Sequence, residues 1–133
     1  MANSISDAGR LFVVAPHGVG ELLVARLSGH PGLNPVGSTP SMATALEEIP
    51  MAAPRLAILS MELPDGDGIS LCAELRRRVP HVRSIIHAAS ADPDLRREAA
   101  AAGAWSTVLK RLDLHQLVTT LISVSTAPEP RHV

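Results

Sequence analysis

The sequence predicts an α/β fold: five helices wound on both faces of one five-stranded parallel sheet. Three observations carry that reading. Short apolar runs alternate with helix-patterned segments along the 133 residues, which is the signature of consecutive βαβ units. The run Leu11–Ala15 is apolar on both faces, as a central parallel strand must be. The length suits a single domain, and the 46% hydrophobic content supplies one real core and argues against a disordered chain.

Leu11–Ala15 is the first strand, and Val19–Ser28 the helix after it, stopped by Gly29-His30-Pro31-Gly32. Asn34–Ser38 is a second strand interrupted by Pro35 and Gly37, which places it at a sheet edge. Thr39-Pro40 reads as a cap followed by proline at the first helical position, opening a helix that ends near Ile49, before Pro50. Leu56–Ser60 is the third strand, entering a tight turn at Leu63-Pro64-Asp65-Gly66-Asp67-Gly68. Gly68–Val79 is a helix with Leu71, Leu75 and Val79 spaced by four, and Pro80 ends it. Ser84–Ala88 is the fourth strand. Asp92-Pro93 caps a helix through Ala102, with Gly103 as its left-handed exit. Ser106–Leu109 is the fifth strand and Leu114–Val124 the last helix. Residues 1–9 and 125–133 read as tails around a domain at 10–124.

Composition narrows the function. A net charge of −1 and two aromatic residues, Phe12 and Trp105, make no case for nucleic acid. Cys72, the only cysteine, excludes an intrachain disulfide and a cysteine-based zinc site. The N-terminus lacks signal-peptide features, and no apolar run approaches a membrane span, so a cytoplasmic location without membrane insertion is expected. In a parallel sheet, chemistry gathers beyond the carboxyl ends of the strands. Those ends are Ala15-Pro16-His17, Ser60-Met61, Ala88-Ala89-Ser90 and Lys110, the only lysine.

Three motifs in order carry a family resemblance. They are Leu63-Pro64-Asp65-Gly66-Asp67-Gly68-Ile69-Ser70-Leu71-Cys72, Val79-Pro80-His81-Val82-Arg83, and Ala101-Ala102-Gly103-Ala104 with Val108-Leu109-Lys110. Together they resemble the flavodoxin-like, CheY-like receiver domains of bacterial response regulators, above all those of LuxR-type regulators. The resemblance implies two acidic residues after the first strand and a phosphorylated aspartate ending the third, which together hold Mg²⁺. At those positions stand Ala15, Pro16 and Ser60. The hydroxyl-bearing switch position matches Ala88, the switch aromatic matches Thr107, and only the lysine is kept, as Lys110. Mg²⁺ prefers carboxylate oxygens, so neither a metal nor any other cofactor is expected. A serine hydroxyl without a base is a weak nucleophile, so no catalysis is expected either.

Ser60 is therefore read as a polar residue hydrogen-bonded at a strand end. Lys110 has two open readings, an anion site or a pair with an acidic loop side chain such as Glu62. Asp65 and Asp67 read as turn residues. His87 reads as a satisfied core or half-buried histidine rather than a ligand. The expected function is that of a degenerate receiver signalling through contact with a protein, either a regulator, a kinase or an enzyme, or through a second copy of itself. Direct DNA binding is not expected. By resemblance the contact surface includes Arg96, Arg97, Trp105, Arg111 and His115; Trp105 serves equally as an anchor or as packing. The alternatives are a phospho-switch using Ser60 as acceptor and a small-ligand or anion sensor using the vacated pocket.

Overall fold

Five parallel strands form the sheet in the order β2-β1-β3-β6-β7, in a computed structural model that describes residues 8–90, 92–111 and 113–129. The strands are β1 (Arg10–Val14), β2 (Asn34–Thr39), β3 (Leu56–Ser60), β6 (Arg83–Ala88) and β7 (Ser106–Leu109). The helices are α1 (Val19–Ser28), α2 (Met42–Ala52), α3 (Gly68–Arg78), α4 (Pro93–Ala101) and α5 (Leu114–Thr126). Two short strands, β4 (Glu62–Leu63) and β5 (Gly66–Asp67), pair antiparallel across the Pro64-Asp65 turn. The expected doubly wound sandwich is the observed one, with β2 at an edge.

Side chains of successive strand residues point to opposite faces, and this alternation splits the core in two. Phe12, Val14, Ala57, Leu59, Ile86 and Ala88 pack under α2, α3 and α4 with Ile49, Leu71, Leu75 and Ala99. Leu11, Val13, Leu56, Ile58, Ile85 and Val108 pack under α1 and α5 with Leu23, Leu27, Leu117 and Leu121. Among the described residues no helix is long and apolar enough to cross a membrane.

Several element ends differ from the sequence reading for identifiable reasons. Ser41, not Thr39, caps α2: its side chain accepts from Thr44 N, and Thr39 ends β2 with Oγ1 accepting from Ser41 N. Pro50 does not stop α2. It lies in the last turn, where its missing N–H removes a single bond, and the helix continues to Ala52 before Ala53 turns left-handed at φ 50°. Gly103 takes the expected left-handed exit at φ 102°. Helix α5 runs two residues beyond Val124, and the chain after it is tied down by Arg83. Both the Val124 and Ala127 carbonyls accept from the Arg83 guanidinium, and Glu129 pairs with it at 2.7 Å. Of the proposed tails at 1–9 and 125–133, residues 1–7 and 130–133 lie outside the described residues.

Candidate functional site

The topology brings the predicted positions to one end of the sheet. Ala15 and Pro16 follow β1, Ser60 ends β3, Ala88 ends β6, and Lys110 follows β7. Backbone bonds lock them together: Ala15 N to Thr39 O, Met61 N to His87 O and Lys110 N to Ala88 O, at 2.8–3.1 Å. Thr107 lies half-buried inside β7. Gly68 closes the turn after β3 with its N–H on Met61 O. A Cβ there would sit 2.6 Å from the Ser60 carbonyl oxygen, so only glycine lets α3 start this close to β3.

Ser60 is wholly buried, and its Oγ has no hydrogen-bond partner. That corrects the expected role as a bonded strand-end hydroxyl: the side chain is buried under the sheet face with no polar group of the described residues in hydrogen-bond reach. The Cα register partner of Ser60 is His87 on β6, so both side chains lie on the α1–α5 face. His87 is 6% exposed, and its Nδ1 likewise lacks a partner, so the expectation of a satisfied core histidine is also corrected. Sequence reading missed this pairing, because register between strand residues 27 apart is set by the whole sheet.

Burial, with the Lys110 charge as a smaller contribution, holds the His87 pKa below its usual 6.5. The group is neutral in the fold at pH 7. A depressed histidine pKa means that the unfolded chain takes up the proton first as pH falls through 6.5. His87 therefore lowers stability increasingly below that pH and is without effect above it. We expect the urea midpoint to fall between pH 7.5 and 5.5 and His87→Leu to flatten that fall, with stability at pH 7.5 kept or raised, since an apolar side chain leaves no unpaired nitrogen. A histidine variant with an unchanged pH slope would contradict this.

Lys110 is exposed, and among the described residues it makes no ion pair, so of its two readings the Glu62 pair does not form. His17 is exposed and lies 3.5 Å from Glu21, which in turn caps Gly18 N at 2.7 Å. Asp65 and Asp67 do more than shape the turn. Asp65 accepts from Met42 N, Ala43 N and Ser41 Oγ at 2.8–3.0 Å, capping α2 from another loop. Asp67 caps α3 through Ser70 N. The α2 amides hold the Asp65 carboxyl below its ordinary pKa of 3.8, so its contribution is present above that pH and lost as pH falls further. Asp65→Ala is expected to lower Tm by several degrees at pH 7 and by less under acid, as read by thermal melts.

The magnesium fit is poor at the matching positions. The side chains of Ala15 and Pro16 carry no oxygen, and the one oxygen of Ser60 is a buried hydroxyl. A hard dication asks for carboxylates. Among the described residues no group of three or more His, Cys, Asp and Glu is placed to hold a metal ion.

The surface residues singled out from the sequence are mostly engaged locally. Arg96 donates to Thr107 O at 3.5 Å, and Arg97 pairs with Asp94. Trp105 is half-buried beneath the Arg83 guanidinium, 4.1 Å from its ring centroid, which favours its packing role. Arg111 and His115 are exposed. Cys72 is a buried thiol whose pKa burial raises.

Comparison with known proteins fits this geometry. The family described as "Response regulator receiver domain" matches residues 17–122. The DNA-binding transcriptional activator DevR/DosR of Mycobacterium tuberculosis is 37% identical over 102 residues, covering 76% of this chain and 47% of that protein. The chain thus spans about half the length of that relative. The signal receiver domain of NarL from the same organism superposes with a TM-score of 0.83 at 27% identity, covering 90% of this chain and 97% of that one. The BeF3-activated receiver domain of Klebsiella pneumoniae RstA superposes with 0.79 at 25% identity, covering 89% and 98%.

These relatives correct the reading of partners. The exclusion of direct DNA binding in favour of a protein contact or self-association does not stand, because DevR/DosR is a DNA-binding activator. A charge of −1 describes the surface of these 133 residues and does not bear on a regulator that contains such a domain.

Proposed function

The chain belongs to the response regulator receiver domain family, a component of two-component signalling, and from that premise we propose that its conformational state is not set by phosphoryl transfer to residue 60. One observation carries the proposal. The positions that would gather magnesium and accept the phosphoryl group hold Ala15, Pro16 and a wholly buried Ser60. Without carboxylates to hold a dication, no metal neutralises the charge of an incoming phosphoryl group. At the switch positions Ala88 has no hydroxyl to meet a phosphoryl oxygen, and Thr107 has no ring to rotate. The domain holds largely one state, and any shift comes from something that binds its two states differently. The role proposed is binding and relay, without catalysis or a metal cofactor.

One observation favours a second reading, with Ser60 as acceptor. The register pairs it with His87 on the adjacent strand, the one imidazole on the same sheet face among the described residues, although no hydrogen bond joins the two side chains. Intact mass after incubation with acetyl phosphate and Mg²⁺ decides between them. We expect the unmodified mass. An adduct of one phosphoryl group that disappears in Ser60→Ala and in His87→Leu would establish the second reading instead.

A further inference from the structure

A cavity of about 310 Å³ opens on the α1–α5 face and shares Lys110 with the vacated pocket. Its walls are Val19, Leu22 and Leu23 of α1 against Leu109, Leu114 and Leu117. Three large hydrophobic side chains are exposed among the described residues: Leu22 at 52%, Leu114 at 39% and Met51 at 87%. Two of the three line this one cavity, so its mouth holds apolar surface that folding leaves in water.

The polar lining is specific. His87 reaches the cavity from β6 with Nδ1 unpartnered and 6% of the residue exposed. Lys110 and Arg26 add two positive charges, and among the described residues no acidic side chain lines the space. An apolar chamber with a few convergent polar groups is the usual form of a small-molecule site, and the volume falls near the lower end of about 300–1,000 Å³.

From this we infer that the cavity binds a small monocarboxylate with an apolar body, its head at Lys110 and its tail between α1 and α5. Lys110 supplies the charge-assisted bond to the head group, and the His87 ring forms part of the inner wall. The apolar body covers Leu22 and Leu114. The site does not rest on the phosphorylation reading, since it uses neither Ser60 nor any metal position.

The test is a titration of the ¹⁵N-labelled full chain with sodium octanoate, with 1-octanol as the uncharged control. Octanoate is expected to shift the amides of Val19, Leu23, Leu109 and Leu117 and the His87 ring nitrogens saturably at low millimolar concentration. Octanol should bind about tenfold more weakly, the factor set by one hydrogen bond to a charged group. Lys110→Met should weaken octanoate about fivefold or more and leave octanol unchanged. Leu22, being exposed, allows Leu22→Glu to block the mouth without unfolding the domain, and that variant should lose binding of both. The assignment is overturned if no saturable shift appears at these residues, if octanol binds as tightly as octanoate, or if Lys110→Met binds octanoate unchanged. Concentration-dependent shifts of the same residues without ligand would mean that a second copy covers the cavity, and would overturn it as well.

Discussion

Replacing Arg83 with alanine is expected to cost about 3 kcal/mol of folding free energy, more than any other charged-to-alanine change in the domain. Arg83 is the largest fully buried side chain, at 1% exposure. Its guanidinium serves the Val124 and Ala127 carbonyls, pairs with Glu129 and stacks on Trp105. Truncation leaves two carbonyls short of a donor, at roughly 1 kcal/mol or more each. The cation–π contact adds about 0.5–2 kcal/mol, and the emptied stem volume adds the rest. Arg83→Met separates the two contributions: it refills the volume, restores none of the bonds, and should recover less than half of the loss. Urea unfolding reads both through the midpoint at constant slope. An Arg83→Ala domain as stable as the parent would mean that the end of α5 is held by something else.

Placing an aspartate at residue 60, the family's usual residue, is expected to harm this domain rather than awaken it. Ser60 has no exposed surface and no polar partner, so Ser60→Asp buries a carboxylate at an effective cost of several kcal/mol. Lys110 offsets part of this, leaving a net loss of about 2–4 kcal/mol at pH 7. Added Mg²⁺ should not recover the loss, because Ala15 and Pro16 supply no further oxygen. Recovery is expected only when acidic residues also replace Ala15 and Pro16; the triple variant should then melt higher with Mg²⁺ than without it. A single Ser60→Asp variant rescued by Mg²⁺ would show that donors outside the three matching positions complete a site.

Much of the fold was legible because it follows from local chemistry. Alternation of apolar runs and helical spacing located all five sheet strands, and Pro35 with Gly37 marked β2 as the edge. Proline misled at two places. Pro40 suggested a helix start that Ser41 supplies, and Pro50 suggested a stop that a last-turn position does not enforce. The hairpin β4–β5 was read only as a turn, since two-residue strands leave no periodic signal.

The residues at the matching positions, Ala15, Pro16, Ser60, Ala88 and Thr107, could be named from the motif resemblance alone. What was hidden depends on partners distant in sequence. Asp65 looks like a turn residue until α2 is placed 22–24 residues away to receive it. An arginine before a strand reads as solvated, and Arg83 is buried only because carbonyls 41–44 residues later close over it. The pairing of Ser60 with His87 and the cavity beside them belong to sheet register and helix packing, which no single segment encodes.

The central claim is that the strand ends around residue 60 hold neither magnesium nor a phosphoryl group. Beryllofluoride, which activates the related RstA receiver, tests it most directly by ¹⁹F NMR in the presence of Mg²⁺. The spectrum should contain only free fluoride and free beryllofluoride species at every protein concentration. A protein-bound beryllofluoride resonance that requires Mg²⁺ and vanishes in Ser60→Ala would contradict the claim.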